Sequence, residues 1–283
     1  MITADFQCFK VIDVIVNKLS DYFYKNNLHH AILGVSGGID STVVAVLLYK
    51  VKEHLKDLGF HFIIHGYSLP TSTTNPDELF VSTLVGHTFC DKFQVDNITV
   101  IAGNIDNFLN SKLLPDSFKS GNVKSRFRMM YLYNMAKEWK GCVVGTDNWT
   151  EKLLGFSTIG GDDTADIMPI QNLWKTEVYA LANHFLVKYQ EVEDYAKCHA
   201  IISSIQLAPQ DGLGITKSDM DQLGAKDYYE VDKILYTYIV EKQPIEEIVE
   251  SFDVSTTYKI INRYNNNFKL KLPITITRDE FEI

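Results

Sequence analysis

The sequence predicts an α/β protein, a parallel sheet flanked by helices on both faces, on three observations. Short β-branched runs recur at 30–36 (HAILGVS), 60–69 (FHFIIHGYSL), 97–103 (NITVIAG) and 141–146 (GCVVGT). Longer segments with helical spacing of apolar residues separate them, at 41–58, 77–93 and 122–139. Strands joined by helical crossovers run parallel and have both sheet faces covered. The third observation is a turn of small residues, GVSGGIDST at 34–42, where the first strand hands over to a helix.

In chain order, residues 4–25 read as an opening helix, with Phe9, Ile12, Val16, Leu19 and Phe23 three and four apart on one side. The first strand and its glycine turn follow. The glycine- and aspartate-rich segment 155–166 is too long for a simple turn and reads as a functional loop. After about residue 200 the character changes to SSIQLAPQDGLGITKSD, then helices, then NRYNNNFKLKLPITITRD. We read 1–283 as one domain, with a core over about 28–190 and a helical tail over about 191–283 packed on it.

The chain has 283 residues, of which 46% are hydrophobic and 22% charged, and a formal net charge of −9. The acidic balance weighs against a nucleic-acid binder relying on general phosphate attraction. No apolar stretch approaches the roughly 20 residues of a membrane span. The start lacks a basic region ahead of its apolar residues, so a cytoplasmic location is expected. Four scattered cysteines without a C-x-x-C pair read as buried free thiols rather than as a metal site.

The glycine turn carries the first chemistry. In a parallel sheet, ligands bind beyond the carboxyl ends of the strands, where helix N-termini present backbone N–H groups. Gly34, Gly37 and Gly38 let the backbone approach an anion closely, and Ser36, Ser41 and Thr42 add hydroxyls. No lysine follows the glycines, so this is not a G-x-x-x-x-G-K-[ST] loop. Asp40 would repel phosphate unless a cation lay between, which predicts a magnesium ion bridging the two.

Ser-Gly-Gly-x-Asp-Ser resembles the signature of the PP-loop ATP pyrophosphatases, with their adenine nucleotide alpha-hydrolase-like fold. Two further stretches, SGNVKSRFRM (120–129) and GTDNWTEKLLGFSTIGGDDTADIMPI (145–170), resemble the ammonia-dependent NAD synthetases over about residues 30–190. The resemblance implies a carbon–nitrogen ligase. ATP adenylates the nicotinate carboxylate of deamido-NAD, and ammonia displaces AMP to give NAD. It implies an ATP site of Gly34, Ser36, Gly37, Gly38, Asp40, Ser41, Thr146 and Lys175, with Ser204 in place of a family threonine. Magnesium falls to Asp40 and Glu151, and the acceptor to Arg126, Asp166 and Lys269. Asp162 is assigned to holding ammonium and taking its proton, and Lys175 to the charge on the α-phosphate. A homodimer is implied as well.

The chain departs from the family pattern where Ile159 and Phe268 replace a lysine and a histidine, and where TSTTNPDE (71–78) lacks a glutamine. Two alternatives stay open: a PP-loop enzyme adenylating another acceptor, and a catalytically silent nucleotide-binding subunit. The chain is too short to include the amidase domain of glutamine-dependent relatives, so ammonia is the expected donor.

Overall fold

The computed structural model describes residues 6–110, 117–207 and 219–271. Helix α1 (Cys8–Lys25) buries Ile12, Val16, Leu19 and Phe23 of the stripe read from its spacing, whereas Phe9, in the first turn, is exposed. Strand β1 (His30–Gly34) follows, then α2 (Ile39–Asp57), β2 (Ile63–Ser68) and α3 (Pro76–Phe89). The start of α3 is fixed locally: Pro76 stands at its first position, and the Asn75 side chain accepts from the Asp77 N–H.

The third strand is not the one the sequence suggests. NITVIAG opens helix α4 (Thr99–Asn110), and β3 is Lys92–Val95, at the end of the segment predicted helical. The Asn97 side chain accepts from the Thr99 N–H at 2.9 Å and starts a helix in a β-branched run. KFQV escapes an apolar-run search because β3 is an exposed edge strand, which needs no continuous apolar face.

Helix α5 (Ser117–Trp139) leads to β4 (Cys142–Val144) and the short α6 (Trp149–Leu154). The remaining helices are α7 (Lys175–Glu191), α8 (Tyr195–Gln206), α9 (Asp219–Leu223), α10 (Tyr228–Ile239), α11 (Ile245–Ile248) and α12 (Val254–Asn265), ending in a 3-10 turn at Phe268–Lys271.

The four strands are parallel in the order β3-β2-β1-β4. Alternate residues take opposite faces. Ala31, Leu33, Ile64 and Val144 join a core shared with α1, α2, α7 and α8. Ile32, Tyr67 and Val143 join a second, with α4 and α5. A third core gathers Leu153, Leu154 and Trp174 with Val231, Ile234, Leu235, Ile260 and Ile261 of the C-terminal helices. The first half of α2, residues 41–48, is buried on every side and is apolar apart from Ser41 and Thr42; its second half carries charged residues and is partly exposed.

Strand order determines where a ligand can enter. The chain leaves β1 for β2 on one side and returns to β4 on the other. The loops after β1 and β4 therefore part at the carboxyl edge and open a crevice between them. Among the described residues no helix is long and apolar enough to cross a membrane.

Candidate active site

The glycine turn closes on itself through hydroxyls. Ser41 Oγ donates to Gly38 O at 3.0 Å, Ser36 Oγ lies 3.0 Å from Ser41 Oγ, and Gly38 N donates to Ser36 Oγ at 3.2 Å. Gly38 caps α2 without a side-chain bond, so the first-turn amides of the helix keep their donors for a ligand. Gly37 has φ +87°, and a Cβ there would stand 2.7 Å from Ser82 N and 2.8 Å from Glu78 O. Only glycine lets α3 pack this closely on the turn. From α8, the buried Ser204 donates to Gly37 O at 2.9 Å. The predicted substitute for the threonine thus holds the loop's backbone directly.

Asp40, on the first turn of α2, faces the start of α6 and α7. Asn148 caps α6 by accepting from Glu151 N at 3.0 Å, and its Nδ2 donates to Asp40 Oδ1 at 2.9 Å. Lys175 opens α7; its Nζ donates to Glu151 Oε1 at 2.8 Å and to Asp40 Oδ2. Burial alone would push the Lys175 ammonium toward losing its proton. Asp40 and Glu151 outweigh that and hold its pKa well above lysine's usual value.

Three residues predicted from separate stretches therefore meet at one nitrogen. Asn148, which sequence reasoning passed over, ties the first stretch to the second. Its signal was available: an Asn just ahead of a helical run is a cap whose amide keeps a free end.

A second cluster surrounds the turn 155–163. Asp162 reaches solvent, but its Oδ1 turns inward to accept from Thr158 N at 2.7 Å and Ser125 Oγ at 2.9 Å. Desolvation around that carboxyl raises its pKa, opposed by those donors. Arg126, exposed on α5, donates through Nε to Ile159 O at 2.9 Å. Lys269 reaches in from the 3-10 turn to donate to Gly155 O at 2.8 Å and to Ser157 O. Burial lowers its pKa, with Asp162 and Asp163 opposing.

Asp166 stands apart from these groups. Its Oδ2 accepts from Val143 N at 2.8 Å and its Oδ1 from the Tyr133 hydroxyl at 3.4 Å, so it is bound to the side of β4. Thr146 follows β4, half-buried beside the crevice.

Asp147 links the two clusters. It is 7% exposed, and burial drives its carboxyl well above the usual range, helped by Asp162, Glu151, Asp163 and Asp40 together. Asp147 was missed because an acid between Thr146 and Asn148 has no spacing of its own to single it out.

The comparisons with known proteins bear on the family and the fold. The model of the NAD synthase family matches residues 11–273. An NH(3)-dependent NAD(+) synthetase of Sulfurisphaera tokodaii is 30% identical over 284 residues, covering 98% of this chain and 91% of the relative. A structure described as NMN synthetase from Francisella tularensis aligns with TM-score 0.76 at 24% identity, covering 97% of this chain and 100% of that one. An NH3-dependent NAD synthetase from Campylobacter jejuni aligns with TM-score 0.70 at 23% identity, covering 96% and 100%. These two structures share the fold.

Proposed function

The chain belongs to the NAD synthase family, and we propose the following working of its crevice as an ATP-dependent amidating site. The enzyme converts deamido-NAD and ammonia to NAD, with ATP leaving as AMP and pyrophosphate. The nicotinate carboxylate attacks the α-phosphorus, the bond to pyrophosphate breaks, and ammonia then displaces AMP from the mixed anhydride. The observation that carries this reading is the meeting of Asp40, Glu151 and Lys175 beside the free amides of α2.

The glycine turn, with Gly34, Ser36, Gly37, Gly38 and Ser41, takes the β- and γ-phosphates, and Ser204 keeps the turn open to them. Thr146 borders the nucleotide. Lys175 meets the charge that builds as pyrophosphate departs. Asp162 holds ammonium and accepts its proton, a role suited to a carboxyl with a raised pKa, since only neutral ammonia is a nucleophile. Arg126, Asp166 and Lys269 line the acceptor's side.

The donor set fits magnesium. Asp40 and Glu151 reach the same ammonium, so one cation can span them. Among the described residues no group of three or more His, Cys, Asp or Glu offers a self-sufficient metal site, and magnesium asks for only one or two carboxylates beside phosphates and water. Bound there, it supplies neutralisation of the leaving pyrophosphate.

A homodimer is part of the reading. Its support is the exposure of four large apolar side chains on α4, Val100, Ile101, Phe108 and Leu109. Residues 1–283 act as one domain in this reading, supported by the core that Leu153, Leu154 and Trp174 share with the C-terminal helices. A cytoplasmic location is consistent with the four free cysteines.

A second reading takes the mononucleotide acid as acceptor. It is favoured by Ile159 and Phe268, apolar and exposed beside Lys269 and Arg126 where the resemblance expects cations. The test is an incubation of purified protein with ATP, magnesium and ammonium, offering each acid in turn. A higher kcat/KM for deamido-NAD upholds the first reading. A higher kcat/KM for the mononucleotide establishes the second, and failure to amidate either would overturn both.

A further inference from the structure

Lys175 is held from behind by a helix that none of the recognised motifs includes. Helix α10 presents two residues one turn apart, Tyr228 and Asp232, toward the start of α7. The Tyr228 ring centroid lies 5.0 Å from Lys175 Nζ, and the residue is buried. Asp232 is fully buried. Its Oδ2 accepts from Thr176 N at 2.9 Å, and its Oδ1 accepts from the Thr150 hydroxyl. Thr150, also fully buried, accepts in turn from Lys175 N at 2.9 Å.

The connectivity is specific. Thr150 precedes Glu151 in the chain, and Thr176 follows Lys175. A single carboxylate on α10 therefore fixes the backbone beside both ends of the Lys175–Glu151 ion pair. It sits at the N-terminus of the 17-residue α7, where a negative charge is favoured and where the first amides otherwise lack partners.

A buried carboxylate is costly to keep unless its bonds are strong. An apolar residue at 232 would join the surrounding core of Val231, Ile234 and Leu235 without that cost. The retained charge has a use if the backbone it holds must not move.

We propose that Asp232 and Thr150 are positioning residues. They act through the main chain of Lys175 and Glu151 to hold ammonium and carboxylate in register for adenylation. Tyr228 closes the same side of the ammonium. The proposal rests on the role given above to Lys175. Precise placement counts at such a site because a charge stabilises a transition state only where it is already aimed.

The experiment compares Thr150→Val, Thr150→Ser and Asp232→Asn with wild type, measuring kcat, both KM values and thermal melting on the same samples. Thr150→Val keeps shape but removes the hydroxyl; Asp232→Asn keeps shape but removes the charge. We expect each to lower kcat by about 10-fold or more, with KM for ATP and the acceptor within about 3-fold. Thr150→Ser, which restores the hydroxyl, recovers most of kcat. If Thr150→Val melts below the assay temperature, Asp232→Asn decides alone.

A kcat for Asp232→Asn within 2-fold of wild type would overturn the proposal. So would Thr150→Ser as damaged as Thr150→Val, or a loss that follows the unfolded fraction. Amide formation by the wild type in the same assay tests the underlying reading separately.

Discussion

The two ends of the sheet bury titratable groups in opposite ways. At the carboxyl end, Lys175 stays charged because two carboxylates reach it. Toward the amino end, His65 is 1% exposed on β2, with Nε2 3.0 Å from His30 Nδ1 and the Trp139 ring tilted against it at 4.6 Å. Among the described residues no carboxylate hydrogen-bonds that histidine pair; burial, with His30 and Lys92 adding and Asp91 only partly opposing, pushes His65 down to about 4, and the pair stays neutral. An interior can lower the cost of an ionisable group either by pairing it or by discharging it. Pairing keeps a charge available for chemistry, whereas discharge makes the group another piece of core.

The sharpest way to break this contrast is Asp40→Asn. It removes one carboxylate from Lys175 and from any metal, while keeping the shape and an oxygen. Amidation should fall on the order of 10³-fold, with a proportionately smaller loss of stability, since Asn keeps one acceptor for Lys175 while its NH2 faces the Asn148 amide that Asp40 had accepted from. Steady-state rates beside a thermal melt check this. An equal fall in both would mean that the triad is structural.

Gly37→Ala attacks the same end through the backbone. Its positive φ and the approach of Ser82 N leave no room for a Cβ. The cost should be about 2 kcal/mol, read as a lower midpoint in denaturant, with ATP binding weakened because the turn must shift.

The smallest effect belongs to the amino end. His65 has a depressed pKa in the folded protein, so the unfolded chain binds more protons between about pH 6.5 and 4. Its contribution to stability is present above pH 6.5 and is lost as pH falls toward 4. The slope is at most about 1.4 kcal/mol per pH unit for one proton. Melting curves from pH 7 to 5 should fall for wild type and flatten for His65→Gln.

Legibility in the sequence follows the same division. GVSGGIDST could be read from its residues because it holds its chemistry within one strand–helix junction, where small residues have few other uses; in GTDNWTE, Thr146 and Glu151 came from the resemblance, and Asp147 and Asn148 between them were missed. Asp232 and Tyr228 could not. Helix α10 reaches Lys175 only through tertiary packing, and its pattern, with Val231, Ile234 and Leu235 buried, reads as an ordinary amphipathic helix. Strand β3 was hidden for a related reason: KFQV owes its place to pairing with β2, and Asn97 turned the better-looking strand beside it into a helix. The contrast between Asp166 and Asp162 was hidden as well. Both stand in one short motif, yet one binds β4 and the other the turn that faces Lys269.

Adenylation falls on the acceptor's own carboxylate, in the crevice between β1 and β4. The most direct measurement uses deamido-NAD labelled with ¹⁸O in the nicotinate carboxylate, turned over with ATP and ammonium, with products read by mass spectrometry. One ¹⁸O should appear in AMP, one in the new amide and none in pyrophosphate. Unlabelled AMP, or label in pyrophosphate, would contradict it.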